Sequence, residues 1–272
     1  MIRPPAVAGR FYPADPVELR RSVQTFLSEA QTTASRSLTA DRTPSTSPSA
    51  KAIIAPHAGY MFSGPIAGSA FAQFLPDKAR IQRIVLIGPA HFVPVRGVAA
   101  PGWESFSTPL GSIPVDAALL AALEPMPQVS IANQPHAPEH SLEVELPFLQ
   151  VVLEQFTILP LVAGDAGTRE IAEVLDQVWG GPETRIVVSS DLSHFFDYRT
   201  ARELDSETAR AIVGLQPDAL GEDSACGRVP IRGLLEVARR RGLKARLLDL
   251  RNSGDTAGSR QEVVGYGAFA FS

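Results

Sequence analysis

The sequence predicts a single α/β domain whose central sheet is mainly parallel or mixed and is covered by helices on both faces. After residue 50, short Val, Ile and Leu runs alternate with stretches of helical periodicity, as in sheets buried on both sides. The chain has 272 residues, 44% of them hydrophobic, so it has enough apolar surface for one large core. No internal repeat is present. One domain over residues 1–272 is therefore expected.

The first fifty residues precede this alternating pattern. Residues 16–30 predict one amphipathic helix packed on the domain, because their apolar side chains recur at helical spacing. These side chains are Val17, Leu19, Val23, Phe26 and Leu27. The segment 31–50 is dominated by Ser, Thr and Pro and has almost no large apolar residue. It is predicted to be a flexible surface loop, because it cannot bury enough surface to offset its ordering entropy.

The elements after residue 50 follow from two kinds of periodicity. Strands are predicted at nearly continuous apolar runs, and helices where apolar residues recur every three or four positions. The strands are expected at KAIIAP, RIVLIGP, FTILPLVAG, RIVVSSD, KARLLDL and VVGYGAFAF. The helices are expected at PIAGSAFAQFL, VDAALLAALE, SLEVELPFLQVVLEQ, TREIAEVLDQVW, ARELDSETARAIVGL and PIRGLLEVARRRG. This pattern does not determine the order of the strands in the sheet.

Charge and cysteine content narrow the class of protein. The formal net charge of -4 and the pI near 5.8 argue against a nucleic-acid-binding protein. No apolar run approaches the ~20 residues that span a bilayer, and the first residues lack the apolar region of a signal peptide. Cys226 is the only cysteine, which excludes an internal disulfide and favours a reducing compartment. The sequence therefore predicts a cytoplasmic protein without nucleic-acid or membrane partners.

Three of the five histidines follow predicted strands. His57 closes IIAPH, His91 closes VLIGPAH, and His194 closes VVSSDLSH. In open α/β sheets, ligands bind outside the carboxyl ends of the strands. A single loop histidine is usually idle at the surface, but three in the same context favour a shared site. We therefore expect these imidazoles to converge in one crevice if their strands are parallel neighbours.

Such a cluster is typical of a metal site. Neutral imidazole is the commonest nitrogen ligand for transition metals, and two histidines with one anionic ligand form a common catalytic arrangement. The candidate anionic ligands are Asp191, Glu139, Glu143, Glu145 and Cys226. The thiolate of Cys226 would be favoured by the helix that follows it and by Arg228, although a single cysteine is equally often an inert buried residue.

The SSDLSH sequence also indicates acid/base chemistry. Asp191 and His194 lie three residues apart after a strand, so the carboxylate could orient the imidazole or hold it protonated. A serine nucleophile in this motif is less favoured, because no G-x-S-x-G sequence is present. His140 begins a predicted helix, where it could cap the helix or line the site. His136 is predicted to lie on the surface.

Six motifs resemble those of a known family. They are RPPAVAGRFYP, PHAGYMFSG, GPAHFVP, EHSLEVELPFL, SSDLSHF and CGRVPI, and they occur in the order expected of the Memo family. Bacterial members are called AmmeMemoRadiSam system protein B, a label that implies association with radical-SAM system proteins. Only the segment 31–50 has no counterpart. The resemblance implies a fold similar to the class III extradiol dioxygenases, which hold non-haem Fe(II) with two histidines and a carboxylate.

Site residues can be carried over from this resemblance by motif. It implies that His57 and His91 are metal ligands and that Cys226 is the third, where the dioxygenases have a glutamate. It also implies that His194 is the acid/base residue, with Asp191 beside it.

The same resemblance places His140 and Tyr60 in the lining of the pocket. A thiolate in place of a carboxylate favours softer metals and makes the ligand itself oxidisable. We expect iron or copper as the cofactor, with zinc as the alternative. Extradiol cleavage does not follow from the fold, because function depends on the site.

Three functions are compatible with these residues. The leading hypothesis is a metal-dependent redox enzyme, similar to a dioxygenase, acting on dioxygen or a small aromatic or hydroxylated substrate. The second is a non-catalytic module that binds a peptide or partner in the same pocket, with Arg228 near the rim, as the signalling role of eukaryotic Memo relatives suggests. The third is a zinc hydrolase with the same ligands.

Overall fold

A computed structural model of the chain describes residues 1–40 and 49–272. After residue 50, each of the six predicted strands and six predicted helices is present at least in part, but the alternation is interrupted because four strands follow one another between residues 83 and 114. The helices are α1 (Pro16–Ala40), α2 (Tyr60–Phe71), α3 (Ala117–Leu123), α4 (Leu146–Val152), α5 (Thr168–Gln177), α6 (Tyr198–Val213) and α7 (Arg228–Arg240). The strands are β1 (Ile2–Arg3), β2 (Ala52–Ala55), β3 (Arg83–Pro89), β4 (Val98–Ala100), β5 (Ser105–Thr108), β6 (Gly111–Pro114), β7 (Val129–Ile131), β8 (Thr157–Ala163), β9 (Thr184–Ser189), β10 (His194–Phe196), β11 (Ala245–Asn252) and β12 (Val263–Phe271).

The central sheet is mixed. Its strands lie in the order β10-β12-β2-β9-β3-β8-β4-β7, and β11 pairs with β12. The four inner strands β2, β9, β3 and β8 are mutually parallel. Antiparallel pairs lie on either side of them, where β12 meets β2 and where β4 meets β8. The structure thus confirms the α/β fold class, with the parallel part of the sheet at its centre.

Both faces of the sheet are buried, as the apolar runs predicted. In β2, Ile53 belongs to one core, with side chains of α1, α2 and α4, whereas Ile54 belongs to the other, with side chains of α3, α5, α6 and α7. Successive side chains of a strand point to opposite faces, so a strand between two helical layers must be apolar at every position. This explains why the strands showed no alternation of polar and apolar residues.

The prediction of a loop over 31–50 is wrong for its first half, because α1 continues to Ala40. The first proline after Pro16 is Pro44, so no breaker interrupts the helix before that position. The Thr32 hydroxyl donates to the Ser28 carbonyl at 2.9 Å, within the helix itself. Low hydrophobicity therefore did not prevent helix continuation. Residues 41–48, the middle of the predicted loop, lie outside the described residues.

The predicted N-terminal helix packs on the domain as expected. Leu19 and Val23 of α1 are fully buried in the same core as α2. A Cβ at Gly68 would lie 2.7 Å from the Phe26 carbonyl oxygen, so the two helices approach closely only because residue 68 is glycine. Across the described residues, none of the helices combines the length and the apolar character needed to cross a membrane.

Candidate metal centre

Strand order brings two of the three predicted histidines, His57 and His91, together, whereas His194 is not part of this cluster. β2 and β3 flank β9 in the parallel centre of the sheet, so their carboxyl ends meet at one edge. His57 follows β2 by two residues and His91 follows β3 by two residues. One ligand atom from each of His57, His91 and Cys226 lies within 4.8 Å of the others. Cys226 reaches this edge from the loop before α7.

His57 lies at the buried side of this cluster and is only 1% exposed. Its Nε2 is 3.4 Å from the Cys226 Sγ, and its Nδ1 is 2.8 Å from the Ser189 Oγ. Burial lowers the pKa of His57 well below its usual value, and neighbouring histidines lower it further. The ring is therefore neutral near pH 7, which is the form that binds metals.

His91 is held by a carboxylate. The Glu139 carboxylate accepts the backbone N–H of His91 at 2.7 Å and lies 2.8 Å from its Nδ1. Burial alone would raise the pKa of Glu139, but the hydrogen bonds and charge of His91 outweigh it and bring the pKa to about 2. A carboxylate behind an imidazole orients the ring and leaves Nε2 free for a metal.

A second group of three, His91, Glu139 and His140, also has ligand atoms within 4.8 Å of one another. It is a poorer candidate, because Glu139 already accepts N–H groups from His91 and Ser141. Metal binding there would break those hydrogen bonds. Glu139, which the sequence suggested as an anionic ligand, therefore supports a ligand instead.

Burial favours the protonated thiol of Cys226, for which the sequence left both a thiolate ligand and an inert buried thiol open. Burial raises the pKa of Cys226 to about 12, and the negative charge of Asp191 adds to this effect. The start of α7 and Arg228 do not outweigh these two causes. A metal that binds here must displace the thiol proton, which couples metal binding to proton release.

Asp191 supports His57 rather than His194. Its Oδ1 accepts the backbone N–H of His57 at 2.8 Å, and among the described residues no hydrogen bond joins it to His194. Burial raises the pKa of Asp191 to about 7. The proposed pairing of Asp191 with the His194 ring, inferred from their spacing of three residues, is absent from this structure. The residues after β9 turn into β10, which separates the two side chains.

His194 is the first residue of β10 and is half-buried beside Phe195, with ring centroids 5.7 Å apart. Burial lowers the pKa of His194, and the charge of His91 lowers it further. The imidazole is therefore neutral near pH 7 and can accept a proton. Asp205 of α6 supports this turn by accepting the Ser193 backbone N–H at 3.0 Å.

The buried Asp205 carboxyl group should make the stability of the folded protein depend on pH. Burial raises its pKa from 3.8 to about 6, so between these values the folded state retains a proton that the unfolded state has lost. Stability therefore falls as pH rises through this window. Asparagine does not titrate, so the free energy of unfolding of Asp205→Asn should rise relative to that of wild type by about 1–3 kcal/mol from pH 4 to pH 7, as measured by urea unfolding. A difference that stays constant over this range would contradict the prediction.

His140 lies inside the cluster. Its ring centroid is 4.7 Å from that of His91 and 5.4 Å from that of His57, and burial lowers its pKa to about 4. This position agrees with the predicted pocket lining. Tyr60 does not share it, because its side chain is buried in the core and its hydroxyl donates to the Val144 carbonyl at 2.8 Å.

Two other glutamates and one histidine are placed differently from their predictions. Glu143, a candidate ligand, forms an ion pair with Arg3, while Glu145 hydrogen-bonds to Ser189. Both glutamates are fully buried away from the three ligand atoms. His136 was predicted to be exposed but is buried, with Nε2 3.0 Å from the Ala99 carbonyl oxygen. Its proline-flanked loop packs against the arm at the N-terminus (residues 1–15), where the Arg3 guanidinium donates to the His136 carbonyl oxygen.

A pocket of about 430 Å³ opens beside the cluster, lined in part by His91, Phe92, Cys226 and Arg228. The Arg228 guanidinium forms one loose ion pair, 3.7 Å from the exposed Glu222. A larger groove of about 970 Å³ lies between α1, α2 and β11 and contains none of the cluster residues. The smaller pocket borders two of the three ligand residues, His91 and Cys226.

The sequence reasoning missed the residues that support the cluster. Ser189 was considered only as a nucleophile, although its hydroxyl contacts His57. Glu139 was considered only as a ligand, although it holds His91. Their position next to a strand end and next to His140 was visible, but which imidazole each would face depends on strand order.

Comparison with known proteins finds relatives over nearly the full length of the chain. The sequence model of the family described as Memo-like protein matches residues 3–270. A MEMO1 family protein of Methanopyrus kandleri is 33% identical over 100% of this chain and 99% of its own length. A second, from Sulfolobus acidocaldarius, is 34% identical over 98% of both chains.

A solved structure is also similar. An uncharacterized protein from Escherichia coli K12 has a TM-score of 0.49 at 15% identity, over 79% of this chain and 98% of that chain. This likeness is too distant to carry an argument about function. The full-length family match and the two relatives at or above 33% identity are sufficient for an assignment. The chain belongs to the Memo-like protein family.

Proposed function

We propose that the protein is a metal-dependent redox enzyme that binds one iron or copper ion through His57, His91 and Cys226. The observation that supports this most directly is the mutual approach of the three ligand atoms to within 4.8 Å. Metal–ligand bonds of about 2.0–2.3 Å place the ligands of one ion roughly 3–4 Å apart. Small side-chain movements therefore bring these three atoms to binding distance.

The chemical character of the cluster fits such an ion. Two imidazoles and one cysteine sulfur are ligands that suit borderline to soft metals. When bound, the metal would supply redox or Lewis-acid chemistry at the bottom of the pocket. His194 would accept or return a substrate proton, because its imidazole is neutral and half-buried.

Metal content tests this proposal. Wild-type protein should bind about one equivalent of metal, whereas His57→Ala and Cys226→Ala should lose most of it, since a three-ligand site tolerates no missing ligand. His194→Gln is the matched control and should keep its metal, because His194 is not a ligand. Elemental analysis after purification gives the measurement. Unchanged metal in both alanine variants would exclude this ligand set.

Zinc hydrolysis is the competing use of the same ligands, since thiolate and imidazole also suit zinc. The metal identity and the consumption of dioxygen separate the two. Copurified iron or copper with substrate-dependent dioxygen uptake supports the redox enzyme. Copurified zinc without dioxygen uptake supports the hydrolase.

A binding module is favoured by one observation, the position of Arg228. Arg228 lines the pocket, and within the described part of the chain its guanidinium has only the loose ion pair with Glu222, so it is available for an anionic group of a peptide or small molecule. Chelation distinguishes this function. A peptide that binds equally well before and after metal removal would support a non-catalytic module, whereas loss of binding would tie ligand recognition to the metal.

A further inference from the structure

The contacts of Ser189 indicate which ring nitrogen of His57 carries a proton. The Ser189 Oγ lies 2.6 Å from the Ser141 carbonyl oxygen, 2.7 Å from the Glu145 Oε1 and 2.8 Å from the His57 Nδ1. All four residues are at most 1% exposed. These contacts must therefore be satisfied by the protons of the four groups themselves.

The number of available protons determines which group donates in each contact. A carbonyl oxygen carries no proton, so the short contact with Ser141 requires the single proton of the Ser189 hydroxyl. That hydroxyl then has only lone pairs left for its other two neighbours. The contact with Glu145 needs a proton from the carboxyl group, and the contact with His57 needs a proton on Nδ1.

We propose that Ser189, with Glu145 behind it as a buried neutral carboxylic acid, is the positioning residue that fixes the tautomer of His57. The Nδ1–H donates to Ser189, so the lone pair of Nε2 points toward the Cys226 Sγ, 3.4 Å away. The role of this lone pair as a metal ligand rests on the proposed function. The tautomer itself does not.

Two further observations agree with a neutral Glu145. Its Oε2 is buried without a hydrogen-bond partner among the described residues, which is costly for a carboxylate but less so for an acid. Burial also raises the pKa of Glu145 well above its usual value. The two metal-facing imidazoles are thus supported differently: a carboxylate holds His91, and a hydroxyl backed by an acid holds His57.

The tautomer can be tested on metal-free protein. In wild type, long-range ¹H–¹⁵N NMR spectra should show His57 protonated at Nδ1 and unprotonated at Nε2. Ser189→Ala removes the acceptor, so the Nε2-protonated form should become populated. Ser193→Ala is the matched control, a fully buried serine four residues further along the chain that is not hydrogen-bonded to His57, and should retain the wild-type tautomer. A wild-type His57 protonated at Nε2 would overturn the proposal.

The state of Glu145 has its own measurement. The infrared difference spectrum between wild type and Glu145→Gln at pH 7 should contain the carbonyl band of a protonated carboxyl group. Carboxylate bands in that difference would contradict the neutral acid. Since glutamine can donate an N–H to Ser189, the Glu145→Gln variant should also keep the wild-type His57 tautomer, and a changed tautomer would contradict the role of Glu145 as a donor to Ser189.

Metal affinity links the inference to the proposed function. Ser189→Ala should weaken cobalt(II) binding by about 10–100-fold, the usual effect of removing a partner of a metal-ligating histidine. Ser193→Ala should bind cobalt(II) like wild type. If wild type binds no cobalt(II), the proposed function fails, while the NMR result still decides the positioning role. If wild type and Ser189→Ala bind equally well, the positioning role fails alone.

Discussion

Glu143→Ala should destabilise the protein by about 3–5 kcal/mol, the cost of breaking a buried ion pair by removing one partner. The Glu143 carboxylate is fully buried and lies 2.7 Å from the Arg3 guanidinium. It also accepts the backbone N–H groups of Ala6 at 2.7 Å and Val7 at 2.9 Å, and the Tyr12 hydroxyl at 2.6 Å. Alanine would leave one buried cation without its counter-charge and three donors without this acceptor.

The ion pair between Arg3 and Glu143 also supports the candidate metal centre. The Arg3 guanidinium donates to the carbonyl oxygens of His136 and Glu139, both at 2.7 Å. It therefore holds the segment that carries the Glu139 carboxylate against His91. Loss of the ion pair should weaken metal binding as well as folding, because the support of His91 depends on the arm at the N-terminus.

Urea unfolding followed by circular dichroism measures the effect. The matched control is Glu203→Ala, which removes an ion pair between Arg199 and Glu203 on the exposed surface of α6, where both side chains are at least 67% exposed. That change should cost less than about 1 kcal/mol. A Glu143 variant as stable as the control would mean that the arm contributes little to the fold.

Gly227→Val should disturb both the fold and the metal centre. A Cβ at Gly227 would lie 2.6 Å from the Ser190 Cβ and 2.9 Å from the Ser189 carbonyl oxygen, closer than such contacts allow. Either the start of α7 or the end of β9 must move. Overpacking of this kind costs about 1–3 kcal/mol, and here the displaced backbone carries Cys226.

The expected consequence is a loss of metal affinity of about 10–100-fold, similar to the loss of a residue that supports a ligand. Isothermal titration with cobalt(II) and urea unfolding measure the two effects. Gly221→Ala is the control in the same loop, because a Cβ there meets only the Ser224 Oγ at 3.9 Å. Full metal affinity in a folded Gly227→Val protein would show that Cys226 is not held by this close approach.

The three glutamates of the EHSLEVELPFL region show where sequence reasoning stops. Glu139, Glu143 and Glu145 were equivalent candidate ligands in the sequence. In the structure the first holds His91, the second neutralises Arg3, and the third contacts Ser189. Their spacing of two to four residues does not distinguish these roles. The roles depend on partners between 44 and 140 positions away along the chain.

Local pattern was sufficient for the six predicted strands and for the histidines that follow β2 and β3, because periodicity and strand ends are properties of neighbouring residues. It did not predict the short strands β4, β5, β6, β7 and β10. It was insufficient for the extent of α1, whose polar second half contains no helix breaker. It was also insufficient for the pKa of Cys226, which burial and the charge of Asp191 raise.

The sequence by itself determined which residues could meet at the carboxyl edge of the sheet, since a parallel sheet delivers every strand end to one side. The tertiary structure alone decided that β9 lies between β2 and β3, that Cys226 reaches the same edge, and that Ser189 faces His57. These facts depend on the pairing of distant segments and on burial from solvent, which no local spacing specifies.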